Sequence, residues 1–277
     1  MTTITASVVN QLRKMTGAGM MDCKKALQES DGDMDGAVDI LRKKGAAKAA
    51  KRADRDAGEG LAIALASSDN SYGIVVEVNC ETDFVAKNDD FNAFANQIAS
   101  FALETKPADK DALLASSFEG KTLAEILVDR TAVIGEKVDV SNYALVSSEG
   151  VAAYNHGANR IGVLVALTTA DDASINAGKD VAMQIAAMNP IAVDETAVSD
   201  EVKAKEMEIG RDIARQEGKP EQIIEKIAEG KLKRFFKDNT LVHQAFVKDG
   251  SMTVADFLKS VNPDLKVKSF TRFQIGA

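Results

Sequence analysis

The chain has 277 residues, of which 45% are hydrophobic and 27% charged, an ordinary composition for a globular protein. Its formal net charge of −8 argues against a nucleic-acid-binding surface as the main function. No apolar run approaches the roughly 20 residues needed to span a membrane, and the first residues lack the layout of a signal peptide. We therefore expect a cytoplasmic protein that binds neither membranes nor nucleic acid directly.

The first 45 residues predict three short helices. Thr5 is placed as an N-cap, and the run Gly17-Ala18-Gly19 should end the first helix because glycine adopts turn conformations that other residues avoid. Asp33 follows a second turn and should cap the third helix. Three helices of this size can form a compact bundle.

Residues 45–60 are rich in alanine and basic residues and end in Gly58-Glu59-Gly60. We interpret them as a partly helical linker. Its basic cluster is more typical of a solvated, charged tether than of a nucleic-acid site, because no aromatic residue is interleaved to stack bases. The cluster consists of Lys48, Lys51, Arg52 and Arg55.

The middle of the chain contains a weak internal repeat. A β-branched run at residues 72–78 is followed by a helical pattern at 94–99, and a similar run at 160–167 is followed by a similar helical pattern at 181–186. Two copies of a strand–loop–helix unit predict an α+β protein with two similar core subdomains.

Phe84 lies in the connection of the first copy, just before Asn88, which we expect to cap the following helix. A loop phenylalanine usually packs into the core, and this remains the simple alternative. However, the corresponding loop of the second copy, residues 168–172, has no Asp-Phe pair. A residue needed only for folding should tend to recur in both copies, so the difference favours a functional role for Phe84.

The rest of the chain predicts three further features. Residues 142–156 indicate two paired strands with a turn at Glu149-Gly150. Residues 199–238 indicate two amphipathic helices joined by Gly218-Lys219-Pro220, and hence an antiparallel helical hairpin. Residues 253–273 indicate a helix and a final strand of the second subdomain.

Two long motifs resemble a known family. Residues 77–87 read EVNCETDFVAK and residues 12–27 read LRKMTGAGMMDCKKAL. Both resemble signatures of elongation factor Ts, the guanine-nucleotide exchange factor for elongation factor Tu in bacterial translation, and they stand in that family's order and spacing. The resemblance covers nearly the whole chain, but not the terminal helix with which longer relatives also touch their partner.

The resemblance implies a specific domain organisation. It consists of a ubiquitin-associated-like three-helix domain with its linker at 1–55, an N-terminal core subdomain at 56–142, a C-terminal core subdomain at 143–198 and 239–277, and a coiled-coil insertion at 199–238.

The resemblance also implies that the chain binds elongation factor Tu·GDP and promotes GDP release so that GTP can bind. The exchange residues would be Thr82, Asp83, Phe84 and Val85, and the docking residues of the N-terminal domain Met20, Met21 and Lys24. Adjacent methionines cannot share one helix face, so at least one should point outward as an adaptable contact. A homodimer, or a two-to-two complex with the partner, stays open.

Two other classes of function remain as alternatives. A helical adaptor or scaffold protein would use the N-terminal bundle without any effect on nucleotide. A thiol enzyme would need a nucleophilic pair such as Cys80 and His156. The chain has only two cysteines and two histidines, without disulfide or zinc-ligand spacing, and no phosphate-loop motif. We therefore expect no enzymatic activity, no metal and no cofactor.

Overall fold

The computed structural model describes residues 4–277. They contain eleven α-helices and ten β-strands arranged in small sheets, which confirms the α+β class. The chain forms two compact units. Unit 1 contains the described residues up to Ile63 together with Val76–Ala144 and Gln274–Ala277, and unit 2 contains Ala64–Val75 and Leu145–Phe273. No helix within residues 4–277 is long and apolar enough to cross a membrane.

Unit 1 begins with three helices that share one core. The helices are α1 (Ala6–Thr16), α2 (Met20–Glu29) and α3 (Met34–Ala50). The predicted signals act as expected: Thr5 caps α1, Asp33 caps α3, and Gly17 ends α1 with a left-handed φ of 67°. The shared core is small and consists of Val9, Leu12, Cys23, Ala26, Leu27 and Ala37.

The predicted linker at residues 45–60 is partly helical, as expected, but it is shorter than predicted because ordered elements take up both of its ends. Helix α3 continues to Ala50, because alanine and lysine favour the helix and sustain it beyond the bundle core. A Cβ atom on Gly45 would lie only 2.8 Å from that of Ala132, so α3 packs closely against another helix at this point. The first strand, β1 (Glu59–Ala66), already includes the glutamate and glycine that we had assigned to the linker's end.

The remainder of unit 1 is built around one strand and one helix. Strand β2 (Tyr72–Cys80) leads through a single helical turn, α4 (Asp83–Ala86), into α5 (Asp89–Thr105). The predicted helical pattern at 94–99 is confirmed, since these residues lie in α5 with Phe94 and Ile98 at most 2% exposed. The following elements are α6 (Lys110–Ala115), β3 (Ser117–Phe118), β4 (Lys121–Thr122), α7 (Leu123–Ile134) and β5 (Asp139–Ser147).

Strands β1, β2 and β5 form a sheet in the order β1-β2-β5. Strand β5 runs without interruption across residue 142, where we had predicted a boundary between subdomains. The boundaries between the compact units instead fall at Ile63/Ala64, Val75/Val76 and Ala144/Leu145, within all three strands of this sheet.

Unit 2 contains the second strand–helix copy, β6 (Gly150–His156), β7 (Ile161–Leu167) and α8 (Asp172–Met188). The repeat is confirmed, since β7 leads into α8 as β2 leads into α5. Helix α8 packs on the strands so closely that a Cβ atom on Gly178 would lie 2.8 Å from the Cβ of Ala152. The unit ends with β8 (Ala245–Phe246), β9 (Asp249–Thr253), α11 (Val254–Val261) and β10 (Val267–Gln274), after the helical hairpin described below.

The predicted pairing within residues 142–156 is wrong. Strand β6 pairs with β7 in antiparallel register, Gly150 opposite Leu167, in a sheet of order β10-β7-β6, while β5 belongs to the other sheet. The tight turn lies at Gly157, Ala158 and Asn159, which all have positive φ. Apolar alternation marks a strand but carries no information about its partner, which explains the error.

The side-chain amide of Asn155 makes the two backbone hydrogen bonds at Ala64 that a neighbouring strand would otherwise make. Its amide oxygen accepts the N–H of Ala64 at 2.8 Å, and its amide nitrogen donates to the carbonyl of Ala64 at 2.9 Å. Strand β1 is the outer strand of its sheet, so this amide satisfies both backbone groups of an edge residue.

Helices α9 (Asp200–Gln216) and α10 (Glu221–Asn239) form the predicted hairpin. Gly210 faces Ala228, and ion pairs join Arg211 to Glu225 and Arg215 to Glu221, an order that only antiparallel helices give. At its base the two flanking segments hydrogen-bond each other, with Leu241 N–H donating to Ala192 O at 2.9 Å.

Because the base is closed by the flanking segments themselves, the hairpin should be dispensable for folding. We expect a variant in which a short Gly/Ser linker replaces residues 200–238 to unfold cooperatively, with a thermal midpoint within about 5 °C of the parent, since a change of 1–2 kcal/mol shifts Tm by a few degrees. Circular dichroism during heating measures this. Excising α8, which fills the core of unit 2, is the matched control and should abolish the transition. A hairpin deletion without a transition would contradict the expectation.

Candidate functional site

The segment between β2 and α5 holds the predicted exchange residues on one turn of helix. Thr82 caps this turn, its hydroxyl oxygen accepting the N–H of Val85 at 3.4 Å. Asn88 then caps α5, accepting the N–H groups of Asp90 and Phe91. Two successive caps make the connection a short, hydrogen-bonded helical turn instead of an irregular loop.

Phe84 is 83% exposed, the highest value among the large apolar side chains described in residues 4–277. The simple alternative, in which it packs into the core, is therefore wrong. Ala86, two residues later, is buried at 8%, and Val85 is half-buried, so the turn is anchored on one side and presents the ring on the other. An aromatic ring held in water by ordered backbone is a surface suited to a partner.

Asp83 forms an ion pair with Lys87 one turn later, at 2.6 Å between Oδ2 and Nζ. This hydrogen bond from Lys87 holds the pKa of the Asp83 carboxyl below its ordinary value. Both side chains are substantially exposed, so the pair fixes a local geometry more than it stabilises the fold.

Glu136 holds the start of the turn and was missed by the sequence analysis. Its carboxylate accepts the N–H of Thr82 at 3.0 Å and the hydroxyl of Thr82 at 2.7 Å. It follows Gly135, the residue that ends α7 with a φ of 81°. Its only sequence signal is a glycine C-cap followed by a carboxylate, which does not indicate a partner 54 residues away.

Glu81, next to Thr82, lies in a second set of polar contacts that was also missed. Its carboxylate accepts hydrogen bonds from Arg52 at 2.8 Å, from Arg55 at 3.0 Å and from the backbone N–H of Lys137 at 2.7 Å. Burial by itself would raise the pKa of Glu81, but the hydrogen bonds from Lys137, Arg55 and Arg52 outweigh it and lower the pKa to about 2. The two arginines are therefore not a solvated tether.

The predicted docking residues lie on α2 of the same unit. Met20 and Met21 are 49% and 63% exposed, so both methionines point outward, one more than the minimum we expected. Lys24 is exposed one turn later. Together they present two flexible apolar side chains and one positive charge at the start of α2.

The residues of the proposed thiol pair have other partners. Burial, reinforced by the negative charge of Glu136, raises the pKa of the Cys80 thiol to about 12, and Cys80 Sγ donates to the carbonyl of Thr82. Such a thiol is not a nucleophile at neutral pH. His156 contacts the hydroxyl of Tyr154 at 3.0 Å. No cluster of three or more metal-ligating side chains occurs in the part of the chain that the structure describes.

Comparison with known proteins shows where the chain belongs. Residues 81–277 match the family model described as Elongation factor TS. Elongation factor Ts of Christiangramia forsetii is 50% identical over 276 residues, covering 100% of both chains. That of Flavobacterium psychrophilum is also 50% identical with full coverage of both, and that of Amoebophilus asiaticus is 48% identical over 99% of both.

The chain belongs to the elongation factor Ts family. It is therefore a translation elongation factor. The match to the elongation factor Ts model starts at Glu81 and so includes all four predicted exchange residues, while the full-length matches extend through the N-terminal helices that carry Met20 and Met21. The resemblance seen in the two sequence motifs is thus confirmed at the level of the family.

Proposed function

We propose that the chain is a guanine-nucleotide exchange factor that binds elongation factor Tu·GDP, promotes the release of GDP and so allows GTP to bind. The observation that carries this proposal is Phe84, an 83% exposed ring on a turn held by Thr82 and Glu136. The family supports elongation factor Tu as the partner and the cytoplasm, where translation takes place, as the compartment.

Two other modules would serve the same partner. The three helices α1–α3 form a ubiquitin-associated-like domain that docks on elongation factor Tu through Met20, Met21 and Lys24. The hairpin of α9 and α10 is the family's coiled-coil insertion. These assignments are supported by the small shared core of the bundle and by the antiparallel pairing of the two hairpin helices.

An exchange factor acts by binding the empty GTPase more tightly than the GDP form. By linkage, the same factor then weakens GDP binding. A thousandfold effect requires about 4 kcal/mol of differential binding. Burial of one phenylalanine side chain stabilises a complex by roughly 1.5–3 kcal/mol, so insertion of Phe84 can supply a large share of this difference.

Each residue of the turn has a role in this proposal. Phe84 enters a slot of the partner near its Mg²⁺ and phosphate site and displaces the elements that order both, which are the main holders of a bound nucleotide. Asp83 fixes the turn through Lys87, Thr82 joins the turn to Glu136, and Val85 anchors it. No group on this chain needs to touch the nucleotide.

Release of fluorescent GDP from purified elongation factor Tu, followed by stopped flow with and without this protein, tests the proposal. We expect a large acceleration that saturates with the concentration of the factor. Binding without acceleration would instead support the adaptor alternative. Loss of acceleration after thiol blocking would support chemistry at Cys80, although its raised pKa argues against that result.

The docking residues should affect affinity more than the maximal rate. We expect a Met20→Ala/Met21→Ala variant to raise the half-saturating concentration by about tenfold, because two exposed side chains that bury on binding lose about 1–2 kcal/mol of contact. The maximal release rate should change by less than about twofold. Titration of the factor in the GDP-release assay measures both values.

Met188→Ala is the matched control, since Met188 is 50% exposed but lies at the end of α8 in unit 2. It should leave the half-saturating concentration unchanged. A Met20/Met21 variant with parental half-saturation would show that docking uses another surface.

A further inference from the structure

A group of side-chain and backbone contacts ties the exchange turn to the segment after α3 and to the segment after α7. We define the Glu81 cluster as Arg52, Arg55, Glu81, Glu136 and Lys137, together with the Thr82 groups that Glu136 binds. All of them belong to unit 1. They lie around Glu81 and Thr82, which we call the stem of the turn, and they leave the Phe84 ring exposed.

Part of the cluster joins two pairs of consecutive residues, Glu81-Thr82 and Glu136-Lys137. Glu81 accepts the backbone N–H of Lys137, and Thr82 donates to Glu136, so consecutive residues of the stem bind consecutive residues after α7. The ammonium of Lys137 also donates to the carbonyl of Arg55 at 3.2 Å. The stem therefore has fixed partners from two other parts of the unit.

The two arginines lie on hydrogen-bonded turns that follow the end of α3. Arg52 N–H donates to Ala49 O at 2.9 Å and Arg55 N–H donates to Arg52 O at 3.0 Å, so the chain keeps helical turns beyond the end of α3 at Ala50. Helix α3 shares a core with α1 and α2 and packs against α7 where Gly45 meets Ala132. The path from the bundle core to Glu81 therefore runs through hydrogen-bonded backbone without a gap.

The Glu81 side chain is suited to this link. It is only 14% exposed, and two guanidinium groups plus one N–H satisfy its carboxylate. Charge-assisted hydrogen bonds in such a partly excluded position are about twice as strong as neutral ones. By contrast, the Lys44–Glu29 pair between α3 and α2 is about half-exposed at both ends, and pairs of that kind contribute little.

We propose that Arg52, Arg55 and Glu81 are positioning residues for nucleotide exchange: they hold the Glu81–Thr82 stem, and with it the turn that carries Phe84, in register with the docked N-terminal bundle, so that docking of the bundle and insertion of Phe84 occur as one movement. The inference rests on the proposed exchange function and deepens it. It assigns part of the exchange rate to residues that do not touch the partner at the Phe84 slot.

Kinetics on the full chain separate positioning from docking. We expect Glu81→Gln and Arg52→Ala/Arg55→Ala each to lower the maximal GDP-release rate by about tenfold, which corresponds to about 1.4 kcal/mol, while the half-saturating concentration changes by less than twofold. Because both variants break the same link, their combination should be no slower than either alone. Arg52→Lys/Arg55→Lys keeps both charges and should recover part of the rate.

Hydrogen exchange of single amides shows whether the turn itself is loosened, which a change in overall stability would not show. In the Arg52/Arg55 variants the amides of Ala86 and Lys87, which bond to Thr82 and Asp83 within the turn, should exchange about tenfold faster, while those in the middle of α5 stay unchanged. Lys44→Gln, which breaks the exposed pair between α3 and α2, is the control and should alter neither the GDP-release rate nor the hydrogen exchange of these amides. Arg55→Ala alone, at a 54% exposed side chain, remains testable if the double variant unfolds.

Variants that changed only the half-saturating concentration, or changed neither parameter, would overturn the inference. Its failure is distinct from that of the proposed function. If Phe84→Ala slows GDP release and the Glu81 variants do not, the positioning role of the arginines and Glu81 is wrong, while the insertion of Phe84 is supported. If the parent protein does not accelerate GDP release, the proposed function itself fails.

Discussion

Replacement of Phe84 by alanine should slow the GDP release catalysed by this factor by about 10- to 100-fold at saturating concentration. The estimate follows from the roughly 1.5–3 kcal/mol that burial of one phenylalanine side chain supplies, at about 1.4 kcal/mol for each tenfold. The loss should persist at saturation because the ring acts on the bound GDP complex. Stopped-flow release of fluorescent GDP measures it.

The variant should remain folded, since an 83% exposed ring contributes little to the core. We expect its thermal midpoint to match the parent and its binding to elongation factor Tu to persist. Asp83→Ala should slow release less, because it removes an exposed ion pair with Lys87 that only fixes the turn. Val247→Ala, at an exposed position between β8 and β9, is the control for loss of an apolar surface group. An unchanged rate with Phe84→Ala would rule out insertion of the ring as the cause of GDP release, and a melted variant would contradict the expectation that this exposed ring contributes little to stability.

Replacement of Gly60 by alanine should cause the largest loss of stability among the substitutions considered. Gly60 lies in β1 with a φ of 138°, and a Cβ atom there would stand 2.1 Å from the carbonyl oxygen of Val78 in β2. A backbone atom cannot move aside as a flexible side chain can, so the two strands must separate. We expect the free energy of unfolding to fall by about 3–5 kcal/mol, the upper end for single substitutions.

Gly120→Ala is the matched control. Gly120 also has a positive φ, 82°, but nothing lies within 4 Å of the added Cβ atom. It should therefore cost only the left-handed backbone strain, about 1–2 kcal/mol. Urea unfolding of the two variants and the parent gives the comparison. Equal losses at the two glycines would mean that the contact with Val78 is relieved without cost.

The features that the sequence predicted correctly are those set by near neighbours. The caps at Thr5, Asp33 and Asn88 each act on an N–H two or three residues away, so the signal and its effect lie in one short window. The apolar face of α5 and the hairpin of α9 and α10 follow from periodicity in the same way. The functional role predicted for Phe84 depended on one further observation. The corresponding loop of the second copy of the repeat has no Asp-Phe pair.

The features that were missed depend on partners far along the chain. Glu81 meets arginines 26 and 29 residues before it and a backbone N–H 56 residues after it, and no local pattern specifies such a meeting. The pairing of β6 with β7 was missed because alternation does not name a partner. Gly60 looked like a linker glycine because its close neighbour, Val78, lies in another strand.

The contact between Asn155 and Ala64 can form only late in the synthesis of the chain. It lies 91 residues after Ala64, whose backbone it satisfies. At a translation rate of about 5–20 residues per second, Ala64 is added to the chain roughly 5–18 s before Asn155 is. Until then β1 has an open edge of the kind that pairs with other chains. The nascent protein therefore passes through an interval in which aggregation competes with folding, and slower translation of residues 65–155 lengthens it.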